Sequence, residues 1–143
     1  MPSADLDVVR DQYAAVNRRD FGRAMELYAE DVVLVVPRLE GLKNPGTYEG
    51  KEAVGEWFGD WFRAFAEDYR FELEELRHLD GGLIFLSATH GGTGRLSGAP
   101  VHGENAYLYR VRDGKISRVG FFATREDALE TAALPEWSEP KTD

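Results

Sequence analysis

Apolar residues recur along this chain at two periods, and the change from one to the other divides it into a helical first half and a stranded second half. Leu6, Val9, Tyr13 and Val16 fall on one face of a helix predicted over residues 5–19, with Asp5 and Asp7 near its dipole-positive start. Asp20 reads as the cap of a second, shorter helix whose stripe is Phe21, Ala24, Met25 and Tyr28. The β-branched run over residues 32–37 predicts a strand, which Pro37 confines to an edge or an end. Residues 38–50 carry Gly41, Asn44, Pro45, Gly46 and Gly50, and are expected to form a long loop of the kind that often borders a binding site. Val54, Trp57, Phe58, Trp61, Phe62 and Phe65 then make the strongest periodic stripe in the chain, predicting a third helix over residues 51–67.

From Tyr69 onward the period falls to two. Tyr69, Phe71 and Leu73 alternate with Arg70, Glu72 and Glu74, as in a strand with one wet face. Residues 80–82 turn the chain into an apolar run over residues 83–90. A glycine-rich stretch over residues 91–94 and the pair Ser97 and Gly98 precede a strand that resumes near Val101. Tyr107, Tyr109 and Val111 alternate with Leu108, Arg110 and Arg112, and Asp113-Gly114 is a hairpin signal leading into residues 115–123. Thr124 and Asp127 fit a capping box that opens a short helix through Ala133. Helices gathered at one side of an antiparallel sheet make an α+β domain rather than a βαβ one. Gly92 and Gly94 lie between two strands, so they lack the strand-to-helix context of a phosphate loop.

Length fits one domain, residues 1–134, followed by a polar tail over residues 135–143 that is expected to be loose unless Trp137 docks. The chain has no cysteine, which excludes disulfides and thiolate metal sites. A formal charge of −9 repels a phosphate backbone, so nucleic acid is not expected as a partner, and the arginines at 18, 19, 110 and 112 read as solvated. No apolar run exceeds five residues, so no membrane span is expected. The start of the chain lacks the basic and apolar segments of a signal peptide, and the expected location is cytoplasmic.

Five short stretches, in this order, carry a family resemblance: residues 13–20, residues 27–32, Gly46 to Gly50 ahead of the Trp57 helix, residues 112–116, and residues 128–130. Together they resemble the nuclear transport factor 2 superfamily, which includes ketosteroid isomerases and SnoaL-like polyketide cyclases. The resemblance implies a cone, in which three N-terminal helices close one end of a curved, cystatin-like antiparallel sheet. It leaves open whether the pocket binds or catalyses; an enzyme of this kind would be a cofactor-independent isomerase, cyclase or hydrolase working by acid–base chemistry. The isomerase pattern itself is absent. Its aspartate base falls at Val36, its oxyanion-hole tyrosine at Gln12 beside Tyr13, and its protonated acid near Tyr107. Two other carboxylates are candidates, but alternation puts Glu104 opposite Tyr107, and Glu40 reads as a solvated loop residue.

The aromatic residues are the better clue to a site. Trp57 and Trp61 are expected to wall an apolar pocket, with Tyr13, Tyr107, Tyr109 and Asn105 supplying hydrogen bonds and His90 standing at its rim. No histidine spacing suggests a metal, and no cofactor motif is present. The expected partner is a small, mostly apolar ligand. The resemblance also implies a homodimer through the outer sheet face, where Leu76, Leu108 and Val119 are expected to supply apolar contacts. The competing reading is a non-catalytic interaction module whose aromatic residues simply fill the core.

Overall fold

The computed structural model describes residues 2–37 and 46–137. The chain runs α1 (Pro2–Asn17), α2 (Phe21–Glu26), β1 (Tyr28–Val36), β2 (Gly46–Glu49), α3 (Lys51–Arg63), β3 (Arg70–His78), β4 (Ile84–Thr93), β5 (Pro100–Arg112), β6 (Lys115–Phe122) and α4 (Arg125–Ala132). One curved sheet takes the order β2-β1-β6-β5-β4-β3. Its pairs are antiparallel except β1 with β6, which is parallel. Register shifts in the β1–β6, β3–β4 and β5–β6 pairings bend the strands around the helices.

The caps behave as the sequence predicts. Asp20 Oδ1 accepts the Arg23 N–H at 3.1 Å, and Thr124 Oγ1 accepts the Asp127 N–H at 3.1 Å. The end of α1 is less ordinary. The Asp20 N–H donates to the Ala15 carbonyl at 2.8 Å and the Arg19 N–H to the Val16 carbonyl at 3.0 Å, a Schellman closure. It places Arg19 at φ 64°, in the left-handed region where glycine is usual.

Helices α1 and α4 differ from expectation by one to three residues at their ends, and four other differences have a physical cause. Helix α2 stops at Glu26, because the Ile116 N–H donates to the Leu27 carbonyl at 2.8 Å and Tyr28 pairs with Ile116, which draws Tyr28 into β1. Within the expected loop, residues 46–49 form β2 against Val33 to Val36, while Glu40 lies outside the described residues. Helix α3 ends at Arg63 rather than 67, since Phe65 bridges Gly94 and the Ala66 N–H donates to the Thr93 carbonyl at 2.7 Å. Most of the glycine-rich stretch belongs to β4. Gly92 is required there because a Cβ would stand 2.6 Å from Tyr69 Cα.

The sheet carries apolar clusters on both faces. Leu34, Val54, Trp57, Leu86, Val119 and Phe121 pack between the sheet and α1 to α3. Leu83, Phe85, Leu108, Phe122 and Ala128 pack beneath α4 with Trp137, which is 2% exposed. The tail therefore docks as far as Trp137, with the Arg118 guanidinium 4.4 Å over its ring. This corrects the expected dimer face. Leu108 belongs to the α4 cluster, and Val119 and Leu76 pack with the inner one. Among the described residues, no helix is long and apolar enough to cross a membrane.

Candidate functional site

Between α2, α3 and the sheet the helices do not close, leaving a cleft of about 900 Å³. Helix α3 turns Gly55, Phe58, Gly59 and Phe62 towards it, while Trp57 turns to Phe121 in the core at 5.3 Å between ring centroids. Helix α2 contributes Phe21, Ala24 and Met25. Glycine and alanine at these positions fill little volume, which is one local reason the space stays open.

The buried floor of the cleft is a group of tyrosines. Tyr107 and Tyr109 are two apart on β5 and share a face, their rings 5.8 Å apart and nearly parallel. Among the described residues neither hydroxyl has a hydrogen-bond partner. Tyr28, on β1, accepts from Gln12 Nε2 at 3.0 Å and keeps its own proton to donate. The Tyr13 hydroxyl is buried and has no partner at hydrogen-bonding geometry. Burial pushes the Tyr28, Tyr107 and Tyr109 phenols far above the usual phenol range, and neighbouring tyrosines raise the last two further. Burial likewise takes Tyr13 up to about 12, with Asn17 opposing the rise and the Glu72 charge adding to it. These groups are hydrogen-bond donors near neutral pH, not bases.

A second polar chain lies off the cleft wall. Trp61 Nε1–H donates to the Tyr69 hydroxyl at 3.1 Å, which is 2.8 Å from His90 Nδ1. Because Tyr69 already accepts from Trp61, we assign its proton to His90, which makes Nδ1 the acceptor. Burial, and then the nearby His102, hold His90 below its ordinary pKa and keep it neutral in that role. Gly103 sits opposite His90, where a Cβ would come within 2.9 Å of Nε2.

Three of the seven residues expected from the sequence are thereby brought together: Tyr13, Tyr107 and Tyr109 line the cleft. Trp57, Trp61, His90 and Asn105 do not. The two tryptophans lie on the stripe of α3 that faces the sheet, stacked 5.9 Å apart, and His90 stands behind Tyr69. Asn105 is 2% exposed with Oδ1 and Nδ2 unpartnered, and borders a smaller polar depression of about 260 Å³ with Glu75, Ser87, Glu104 and Arg125. Arg125 and then Arg77 hold the Glu75 carboxyl below the usual carboxylate range. Of the positions tested against the isomerase pattern, Val36 is buried in the inner core, while Gln12 and Tyr107 line the cleft. Tyr28, Phe71, Arg19 and Arg70 also line it without having been expected there.

Residues 9–119 match the SnoaL-like domain. The chain belongs to the SnoaL-like family. An uncharacterised protein of Mycobacterium tuberculosis is 30% identical to this SnoaL-like chain over 129 residues, covering 90% of it and 95% of the relative. Two solved structures show the same fold. A nuclear transport factor 2-like protein from Burkholderia thailandensis has a TM-score of 0.70 at 24% identity, covering 92% of this chain and 98% of that one. TerC, co-crystallised with polyporic acid, has a TM-score of 0.71 at 19% identity, covering 89% and 96%. The curved sheet, antiparallel apart from β1 with β6, is shared with these structures, and the cleft described above opens among the helices that cover it.

Proposed function

We propose that this SnoaL-like protein binds a small, mostly apolar molecule bearing a carbonyl or similar acceptor, with that acceptor seated on the tyrosine floor. One observation carries the reading. Among the described residues the Tyr107 and Tyr109 hydroxyls have no hydrogen-bond partner and Tyr28 retains a proton to give, all on the wall of a cleft of about 900 Å³. That volume falls in the range of small-molecule sites, and convergent donors on an apolar wall are what orient such ligands. An open cleft favours this reading over a filled interaction module. TerC, similar in fold, was co-crystallised with polyporic acid, which also supports a small-molecule ligand.

The chemistry this floor offers is polarisation of the acceptor by aligned donors. An isomerase, cyclase or hydrolase reading also needs a base. The carboxylates on the lining are Glu52, Glu56 and Glu67, all exposed, and the buried part of the lining carries none among the described residues. Binding is therefore the activity proposed.

Equilibrium binding of acetylnaphthalene and of the shape-matched hydrocarbon isopropylnaphthalene, followed by fluorescence, tests it. The ketone should bind tighter by about fivefold for each hydroxyl it engages. That preference should vanish in the Tyr107→Phe/Tyr109→Phe double variant. Failure of both probes to bind, or equal binding of ketone and hydrocarbon, overturns the proposal, and a ketone preference that survives the double substitution overturns the assignment to Tyr107 and Tyr109.

A further inference from the structure

The end of the cleft beyond α3 carries an unusual concentration of positive charge for an acidic protein. Arg19, Arg63, Arg70 and Arg95 all line it there, in a chain of net charge −9. Arg63 is tied to Asp60, but the other three have no ion pair among the described residues. Arg95 Nε instead donates to the Arg63 carbonyl at 3.2 Å.

Arg19 and Arg70 are closer still. Arg19 Nη2 donates to the Tyr69 carbonyl at 2.6 Å, and Arg70 Nη1 donates to the same oxygen at 2.9 Å. The two nitrogens are thus no further apart than those two bonds laid end to end. They share a second acceptor as well, the Glu67 carbonyl, at 3.5 and 2.8 Å. Two guanidinium groups on one pair of main-chain oxygens repel each other. Burial and then the Arg70 charge push the Arg19 guanidinium down, with Tyr69 and the Glu67 charge opposing the shift. Two carboxylates lie nearby. Asp68 accepts the Thr93 N–H at 3.0 Å and the Thr93 hydroxyl at 2.7 Å and also feels the Arg70 charge. Glu67 is exposed and acts on Arg19 through its charge, with no ion pair to either arginine among the described residues.

Each arginine uses only part of its five-donor fork on those carbonyls, so donors remain free at the cleft. Arg19 is moreover held in the left-handed backbone conformation at φ 64°, and its guanidinium lies 5.2 Å over the Phe62 ring on the cleft wall. A residue other than glycine at this position supplies a side chain that makes the contacts just described, which glycine could not. The cleft is also polarised along its length. Glu52 and Glu56 stand at the start of α3, and the helix rises about 16 Å from Glu52 to Arg63 before the arginine end is reached.

We propose that this end of the cleft is an anion site, and that the ligand is a mostly apolar carboxylic acid whose carboxylate pairs with Arg19 and Arg70 while its apolar body, with its acceptor, reaches the tyrosine floor. The inference rests on the cleft being a ligand site. It names the substrate class as an amphipathic acid rather than a neutral lipophile. Net repulsion from the rest of the protein makes a local cluster necessary for any anion to bind.

The test compares acetylnaphthoic acid with its methyl ester, two probes that share one body and differ in the charge. In the wild-type protein the acid should bind about tenfold tighter than the ester at low salt, the advantage shrinking as salt is added. Arg70→Gln should bring the acid-to-ester ratio towards one. Arg19→Gly should do the same, and this variant retains the helix closure, because glycine suits the left-handed position. Arg112→Gln, at the β5–β6 turn and paired with Asp31, should leave the ratio where it was. Equal binding of acid and ester, alongside normal binding of neutral acetylnaphthalene, overturns the anion site and leaves the ligand cleft standing. An acid preference that persists in both arginine variants overturns the assignment to these residues. If neutral acetylnaphthalene does not bind either, the ligand cleft itself falls and the anion site with it.

Discussion

Two chemically identical substitutions in the cleft should have opposite effects on stability. Tyr28 and Tyr109 are each 4% exposed, and Tyr→Phe removes one hydroxyl from each without changing the ring. At Tyr28 the hydroxyl accepts from Gln12 Nε2 at 3.0 Å, and Gln12 is itself buried. Its loss forfeits about 1 kcal/mol for the bond and leaves an orphaned amide donor worth about 1 kcal/mol or more. At Tyr109 no bond is lost, so deleting an unpartnered hydroxyl should be neutral or stabilising by up to about 1 kcal/mol. The gap between the variants is then at least about 2 kcal/mol, or about 8 °C in Tm for a chain of this length. Urea unfolding followed by tryptophan fluorescence measures it in the ligand-free protein, with thermal melts as a check. Equal destabilisation by both substitutions would show that Tyr109 has a partner in the folded protein, and the claim of a free donor would be lost.

Stability should also respond to pH through His90. Because burial lowers its folded pKa beneath the unfolded value, its contribution is complete above about pH 6.5 and declines as pH falls from there towards the folded pKa, where the unfolded chain takes the proton more readily. His90→Gln should flatten urea midpoints between about pH 7.5 and about pH 5.5, and a slope unchanged from wild type would assign the effect elsewhere. Asp31, Asp68 and Glu75, each held low by hydrogen bonds or arginines, add their losses only in the more acidic carboxylate range. Trp137→Ala should cost about 3–5 kcal/mol, since the ring is almost wholly enclosed against the outer cluster. A melt lowered by less than about 4 °C would mean that the tail contributes little to the fold.

Much of the fold was legible because each long element had a period of its own. The α3 stripe and the Tyr107–Tyr109 alternation both survive in the structure. What periodicity could not do was choose between neighbours. The stripe of α3 is broad enough to face two surfaces, and only the tertiary arrangement assigns Trp57 to the sheet and Phe58 and Phe62 to the cleft. Tyr28 sits at helical spacing from Ala24, yet the hydrogen bond from Ile116 claims it for β1. Strand β2 has four residues and exists because β1 offers an edge, which no local pattern announces. Arg19 read as solvated for a similar reason. The carbonyl it binds lies 50 residues away, and nothing local to the sequence reports such a meeting.

The placement of the two apolar clusters explains how a chain of this size can leave part of its inner face unfilled. Strands β4, β5 and β6 are packed from behind by Leu83, Phe85, Leu108, Phe122, Ala128 and Trp137, so they keep their alignment without needing every residue on the helix side to be in contact. On that side, Trp57, Trp61 and Phe121 form a tight aromatic wedge, and Tyr107, edge-on to Phe121 at 5.1 Å, and Tyr109 carry the same face on to the border of the cleft. Stability is thus drawn from both faces of these strands, and the cleft from one of them. A change that removes the Tyr109 hydroxyl, which has no partner among the described residues, leaves both clusters whole, and its effect should appear in affinity. A change in the outer cluster loosens the frame that holds β5, and should weaken fold and binding together.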